Sequence, residues 1–467
     1  MTNTNFIRVL GRTDVLALAF GAMIGWGWVV LTQNWILEAG TLGAMLAFAI
    51  GGAVVVLVGL VYAELTAAMP KVGGEHVFAF RGLGITASFI CTWAIILGYL
   101  SVAAFESVAL PTVLEYLVPN YGTGLLWTVA GWDVHASWAA VGIGGSLTIT
   151  TINYFGVKPA AFLQTVFTVV ILLAGLLLIS GSLLSGASST ANLQPLVNPG
   201  MKGLFSVVVM TPFMFIGFNV IPQTAEEINL PFKAIGSVLV LSVVMAVVWY
   251  IMVILGVGVS LDNPALAGST LATAAAMDHL FSGTWAGKFL IFAGVAGILT
   301  SWNSFYLGAS RAIYAMSHAN MLPRLLGKLH PRYKTPQNAI ALIGALTSLA
   351  PLFGKKMMIW LVDAGGLGIA VAWVFVSVTF VVLRFRQPQM RRPFRVRNGK
   401  PLGVLCCVFS VGLAMLYLPG SPSALLWPHE WGIVLTWAAL GLVFYLHTHR
   451  AYGRSSMVQV LTEQAAQ

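Results

Sequence analysis

The sequence has little charge. Only 8% of its 467 residues are Asp, Glu, Lys or Arg, whereas about 25% is usual in a soluble protein. Hydrophobic residues make up 58% of the chain, and the mean hydropathy is +0.89. This composition excludes an ordinary soluble globular protein and indicates a chain that folds in lipid.

Cysteine is also scarce. Cys91, Cys406 and Cys407 all lie in apolar segments, and the last two are adjacent. A disulfide framework or a zinc site is therefore not expected. The chain has no Gly-x-x-x-x-Gly-Lys nucleotide loop, and its scattered serines and histidines favour no catalytic group, so we expect neither an enzyme nor a resident cofactor.

The net charge of +10 has an uneven distribution. Twenty of the 24 Lys and Arg residues fall on one side of the predicted membrane plan, and four fall on the other: Lys202, Lys288, Lys355 and Lys356. The positive-inside rule assigns the basic side to the cytoplasm. The charge thus predicts a multi-pass protein of the cytoplasmic (inner) membrane with both termini inside, surrounded by lipid, and no nucleic-acid partner.

Long apolar runs are abundant, and a membrane-spanning helix needs about 20 such residues. The sequence therefore predicts an all-α integral membrane protein with twelve transmembrane helices. The predicted spans are 14–33, 41–69, 85–111, 136–155, 158–185, 203–230, 233–259, 286–316, 337–354, 357–384, 401–419 and 431–449.

Glycine-rich interruptions occur in the first and the sixth of these spans. The first is Gly21-Ala-Met-Ile-Gly-Trp-Gly-Trp28, and the second is Phe213-Met-Phe-Ile-Gly-Phe-Asn-Val-Ile-Pro222. Lipid tolerates non-helical backbone only where it is buried in protein or lines a cavity. The restarting half-helix near Ile24–Gly27 would offer N–H groups to a carboxylate, and the ending half-helix near Phe215–Gly217 would offer carbonyls to an ammonium.

The spacing of the interruptions predicts an inverted repeat. Spans one to five (14–185) and six to ten (203–384) would form a 5+5 transport core within residues 1–400, and residues 401–467 would hold helices 11 and 12 and a cytoplasmic tail. The alternative explanation for these glycines is that they allow neighbouring helices to pack closely. Two breaks that lie five helices apart favour a central binding site instead.

Four motifs, in this order along the chain, resemble the amino acid–polyamine–organocation (APC) superfamily. The first interruption is similar to the family's Gly-Ser-Gly turn. The other matches are Tyr62-Ala-Glu-Leu65 with Met69-Pro-Lys-Val-Gly-Gly-Glu75, Phe215-Ile-Gly-Phe-Asn219 with Ala225-Glu-Glu-Ile-Asn-Leu-Pro231, and Arg311-Ala-Ile-Tyr-Ala-Met316 with the loop that follows it. The resemblance implies a permease that works by alternating access.

The resemblance also implies which residues bind the substrate. The carboxylate would be held at the first break and the amino group at the second, with an aromatic gate beside it. The substrate-binding positions carried over are Ile24, Gly25, Trp26, Gly27, Phe215, Ile216, Gly217 and Asn219, and the gate positions are Phe215 and Phe218.

Two positions depart from the family pattern. Trp26 stands where a small residue such as serine is usual, so its indole either fills part of the cavity, where it could hold a cation, or points into neighbouring helices. Asn219 stands where related sequences often have an acid. The sequence therefore predicts a small neutral amino acid as substrate, with a small amine, amino alcohol or polyamine as the alternative.

Coupling to an ion is the remaining expectation. Glu106 and Asp363 lie within apolar spans, where an acid is by default a functional candidate. Each could carry a proton or be a hydrogen-bonded structural acid. Gly297, Thr300 and Ser301 resemble a sodium site, although hydroxyl groups at such positions also join helices. Proton symport, sodium symport and exchange all stay open, and a channel or a receptor is the alternative of a different class.

Overall fold

The computed structural model describes residues 8–118 and 121–466 of the chain. Residues 1–7 of the predicted core and Gln467 of the predicted tail lie outside the described residues. The described chain is almost entirely helical. Its elements are α1 (Arg12–Met23), α2 (Gly27–Ala39), α3 (Thr41–Ala68), α4 (Glu75–Leu83), α5 (Ile85–Leu117), β1 (Leu125–Val129), β2 (Trp132–His135), α6 (Ala136–Phe155), α7 (Val157–Leu184), α8 (Lys202–Phe215), α9 (Val220–Gln223), α10 (Phe232–Ser260), α11 (Asn263–Gly268), α12 (Ala272–Leu280), α13 (Thr284–His318), α14 (Gln337–Leu349), α15 (Met357–Arg386), α16 (Gly399–Met415) and α17 (His429–Ala466).

Nine helical segments of the described residues are long and apolar enough to cross a membrane. Two shorter apolar helical segments, Gln337–Phe353 and Gly399–Met415, accompany them. The chain is thus an all-α multi-pass membrane protein. The two strands form one antiparallel hairpin, in which Val129 faces Trp132.

Polar and apolar residues are distributed in the opposite sense to a soluble protein. The long helix α13 buries polar side chains, including Thr300, Ser301 and Arg311. By contrast, α7 exposes Leu173 and Leu176, each more than half exposed. Lipid accepts apolar surface, whereas polar groups need partners, so the hydrogen-bonding side chains lie between helices.

Buried aromatic rings pack the centre of the bundle. Trp35 of α2, Phe48 of α3 and Tyr250 of α10 contact one another with ring centroids 4.5–5.7 Å apart. Phe215, at the end of α8, meets this cluster from the other side, 5.3 Å from Tyr250. Large, rigid rings fix the relative positions of the helices that carry the two interruptions.

Glu64 joins the C-terminal end of α3 to the last turn of α15 and to the segment after it. Its carboxylate pairs with Arg384 and with Arg392, the latter at 2.9 Å, and accepts the backbone N–H of Val396 at 2.8 Å. Because the carboxylate has three partners, the cost of burying it is offset.

Candidate functional site

The first interruption lies where the glycines predict it. α1 ends at Met23 and α2 begins at Gly27, and Ile24 departs from helical geometry with φ −97° and ψ 29°. Ile24 and Trp26 are fully buried. The chain thus runs through the protein interior for three residues without continuing the helix.

Side chains from other helices hold the carbonyls freed at this break. The hydroxyl of Tyr250 donates to the carbonyl of Met23 at 2.5 Å, and the indole of Trp28 donates to that of Ile24 at 3.1 Å. Thr300 donates to the carbonyl of Gly21 at 3.3 Å. These bonds explain how non-helical backbone is stable at this depth.

A carboxylate of the chain itself faces the break. Glu106 of α5 accepts a hydrogen bond from the hydroxyl of Ser301 of α13. A Cβ atom on Gly25 would lie 3.2 Å from Glu106 Oε1. Glu106 therefore lies at the N-terminal end of the half-helix α2, where the sequence predicts the carboxylate of a substrate.

The second interruption also lies where it was predicted. α8 ends at Phe215, a 3-10 turn covers Ile216–Asn219, and the short helix α9 follows. A Cβ on Gly217 would lie 2.6 Å from the backbone nitrogen of Met23 and 2.8 Å from the carbonyl oxygen of Ala19. Only glycine lets the two breaks approach this closely.

A small cavity lies between the two breaks. Its volume is about 20 Å³, which holds about one water molecule. A small amino acid or amine would have to displace side chains to enter it, so the structure has the site closed around its own residues. The lining consists of Ala22, Met23, Gly25, Trp26, Gly27, Val102, Phe105, Glu106, Phe213, Met214, Tyr250 and Phe305.

Only some of the predicted binding positions lie on this cavity. Gly25, Trp26 and Gly27 line it, but Phe215 does not. Phe215 packs edge-on against Tyr250 and Phe48, and Phe213, which sequence reasoning missed, takes the lining position on α8. Residues two positions apart on a helix face different directions. The rotation of α8 about its own axis therefore decides which of the two rings faces the cavity.

The indole of Trp26 points toward α13. A Cβ on Gly294 of that helix would lie 1.6 Å from the six-membered ring of Trp26. The ring thus occupies the space that Gly294 leaves open. Whether Trp26 limits the size of the substrate stays a prediction.

Three predicted positions of the second break do not line the cavity: Ile216, Phe218 and Asn219. Phe218 packs against Tyr62 and Trp373, with ring centroids 5.3 and 6.0 Å apart. Ile216 packs closely against Gly98 of α5, where a Cβ would lie 2.9 Å from the Ile216 side chain. Asn219 Nδ2 donates to Glu75 at 2.9 Å, so its amide is engaged away from the cavity.

Glu75 is the centre of a buried polar network at the second break. Its two carboxylate oxygens accept from Asn219 and from Gln223, and Tyr99 donates to the carbonyl of Asn219 at 3.0 Å. Burial raises the pKa of Glu75 to about 7, against these hydrogen bonds, which lower it. Glu75 belongs to one of the motifs that carry the family resemblance. That motif does not indicate that the residue contacts the second break.

The network predicts a pH-dependent stability. Because the folded state holds the proton of Glu75 more tightly than the unfolded state, stability is highest below the ordinary pKa of 4.5 and falls as the pH rises to about 7. We expect the melting temperature to fall less steeply over this interval in Glu75→Gln than in the wild type. Thermal unfolding in detergent at several pH values measures this, with the exposed Glu38→Gln as control. Equal slopes in all three proteins would refute the role of Glu75.

A buried ion pair joins α13 to the segment that follows the second break. Arg311 of α13 contacts Glu227 at 2.8 Å, and both side chains are at most 3% exposed. The carbonyl of Glu227 accepts the backbone N–H groups of Val9 and Leu10 at 3.0 and 3.1 Å. Glu227 therefore connects the residues just before α1, the segment after the second break, and α13.

The predicted sodium-site residues are engaged with protein partners. Thr300 donates to Gly21 and to Gly297, and Ser301 donates to Glu106. These bonds join α13 to α1 and α5. Within the described residues, no group of three His, Cys, Asp or Glu side chains is placed to hold a metal ion.

Asp363 forms a carboxyl pair that the sequence analysis missed. The carboxyl group of Glu430, at the start of α17, lies near that of Asp363 and accepts the backbone N–H of Leu426 at 2.6 Å. Sequence distance hid this pair, because Glu430 lies 67 positions after Asp363.

The sequence is similar to several transport proteins over most of its length. The family described as "Amino acid permease" matches residues 10–443. The branched-chain amino acid permease BcaP of Bacillus subtilis (strain 168) is 28% identical over 422 residues, which cover 86% of this chain and 87% of that protein. The methylthioribose transporter of the same organism is 26% identical over 95% of this chain and 94% of its own length. The cationic amino acid transporter 4 of Mus musculus is 24% identical over 82% of this chain and 61% of its own length.

Proposed function

This chain belongs to the amino acid permease family of the APC superfamily, and we propose that it is a secondary active transporter that works by alternating access. The observation that carries the proposal is the meeting of two interrupted helices around a closed cavity. Transporters of this kind bind their substrate between broken helices near the middle of the membrane. The close approach of Gly217 to Met23 brings the two breaks together.

The proposed architecture has twelve crossings. Five form each repeat: α1–α2, α3, α5, α6 and α7 in the first, and α8–α9, α10, α13, α14 and α15 in the second, with α16 and α17 appended. The packing of the helices supports an inverted repeat, because contacts occur in matching pairs. α1 packs on α7 as α8 packs on α15, and α1 packs on α10 as α8 packs on α3.

We propose that both termini and the basic loops lie in the cytoplasm. The basis is the uneven distribution of Lys and Arg. Ser185 and Lys328 are exposed and fall on opposite sides of the proposed plan. In a background without Cys91, Cys406 and Cys407, an impermeant thiol reagent added outside cells should label Ser185→Cys and leave Lys328→Cys unlabelled. The reverse pattern would overturn the orientation.

Two substrate classes follow from the family and the site. The names of two relatives, a branched-chain amino acid permease and a cationic amino acid transporter, support an amino acid. A small amine or amino alcohol is the second candidate, and the position of Glu106 favours it. For an amino acid, the ammonium group would lie near the carbonyls at the end of α8.

We propose protons rather than sodium as the coupling ion. Glu106 and Asp363 are carboxyl groups within membrane-spanning helices, and each has a polar partner that can accommodate a change of protonation. The hydroxyl groups of Thr300 and Ser301 donate to the carbonyl of Gly21 and to Glu106, which supports a role in joining helices.

Uptake into proteoliposomes tests the proposed function. A transporter should give saturable uptake of radiolabelled amino acid or amine, with acceleration by unlabelled substrate on the opposite side. A pH gradient, acid outside, should increase accumulation if protons are coupled. Uptake that does not saturate would indicate a channel, and binding without uptake would indicate a receptor.

A further inference from the structure

We propose that Glu106 is the substrate-binding carboxylate of this site, and that the substrate is a small organic ammonium without an α-carboxylate. The inference rests on the proposed transport function and names the substrate class of the same cavity. It assigns the ammonium, rather than a substrate carboxylate, to the first break.

The anion position of the first break is already filled by the chain. The N-terminal end of a helix attracts negative charge through its free N–H groups and its dipole. At the start of α2, Glu106 is the group in this position, because a Cβ on Gly25 would lie 3.2 Å from its Oε1 and both residues line the cavity. Ser301 holds the carboxylate there from α13. A substrate carboxylate would need to displace Glu106 or lie next to it.

The second oxygen of Glu106 is available to a ligand. Glu106 is 2% exposed and lines the cavity, and its Oε2 has no hydrogen-bond partner among the described residues. A buried carboxylate oxygen without a partner is costly. An ammonium group with three N–H donors would satisfy it and neutralise the charge.

The rest of the lining suits a cation. Phe105, Phe213, Tyr250 and Phe305 surround the cavity, and the faces of aromatic rings attract an ammonium. Of the described residues on the cavity, none is Lys, Arg or His. A second carboxylate would therefore meet Glu106 without any side chain of opposite charge, so the lining disfavours a zwitterion.

Matched ligand pairs test the substrate class on the wild-type protein. Ethanolamine differs from serine, and isobutylamine from valine, only in the absence of the α-carboxylate. Each is titrated into the purified full-length chain while the melting temperature is recorded, since a ligand that binds the folded state stabilises it. We expect each amine to raise the melting temperature at lower concentration than its parent amino acid.

The role of Glu106 is tested with Glu106→Gln. This variant keeps the shape and removes the charge, and a hydrogen bond to a charged group contributes enough that amine affinity should fall about tenfold to a hundredfold. Glu115→Gln is the matched control, because Glu115 lies on the same helix and is exposed. Glu106→Asp should retain the preference for amines with weaker affinity.

The outcomes separate the two proposals. If amino acids bind better than their amines, or if Glu106→Gln binds amines as the wild type does, the assignment of Glu106 fails while the transport function stands. If proteoliposomes take up neither class, the transport function fails as well. Should Glu106→Gln not fold, the comparison of ligand pairs on the wild type still decides the substrate class.

Discussion

Gly217→Val is expected to abolish transport while leaving the protein inserted in the membrane. The first atom of any side chain at this position would lie within 3 Å of the backbone of α1 at Met23 and Ala19. Backbone atoms cannot move aside as a flexible side chain can, so the two breaks would be forced apart. Uptake into proteoliposomes should fall below detection, and Gly217→Ala should already reduce it severely.

The matched control is Gly412→Val. Gly412 also lies within a helix, but a Cβ there would have no neighbour within 4 Å. The same change in residue size and helix propensity is thus made without a clash, and uptake should stay close to that of the wild type. Normal uptake by Gly217→Val would show that the two breaks need not touch for transport.

Arg311→Met is expected to destabilise the protein severely. The change leaves Glu227 as a buried carboxylate without its guanidinium partner, and breaking a buried pair costs about 3–5 kcal/mol. Adding Glu227→Gln should recover part of this loss, since the unpaired charge is removed. The unfolding of detergent-solubilised protein by heat or denaturant provides the measurement.

Arg450→Met is the control for the loss of an arginine. Arg450 is exposed on α17, and surface ion pairs contribute at most about 1 kcal/mol. If Arg311→Met were no less stable than Arg450→Met, the pair between Arg311 and Glu227 would contribute little to the fold. If the double variant were no more stable than Arg311→Met, the loss would come from packing of the arginine stem instead.

The sequence was a good guide to the backbone and a poorer guide to the side chains. Both interruptions lie at the glycines that predicted them, because the loss of helical backbone is a local property. Phe215 was predicted beside the substrate, but Phe213 lines the cavity. The direction in which a ring points depends on how α8 packs against α3 and α15, which no local pattern contains.

Composition, apolar runs, glycine breaks and family motifs determined that this is an all-α multi-pass permease with two interrupted helices. Only the tertiary structure decided which groups meet at the breaks. Glu106 and Ser301 are 195 positions apart in sequence, and Glu75 reaches Asn219 across 144 positions. A membrane helix buries its polar groups against whichever helix packs beside it, so the partners follow from the arrangement of the bundle and not from the order of the residues.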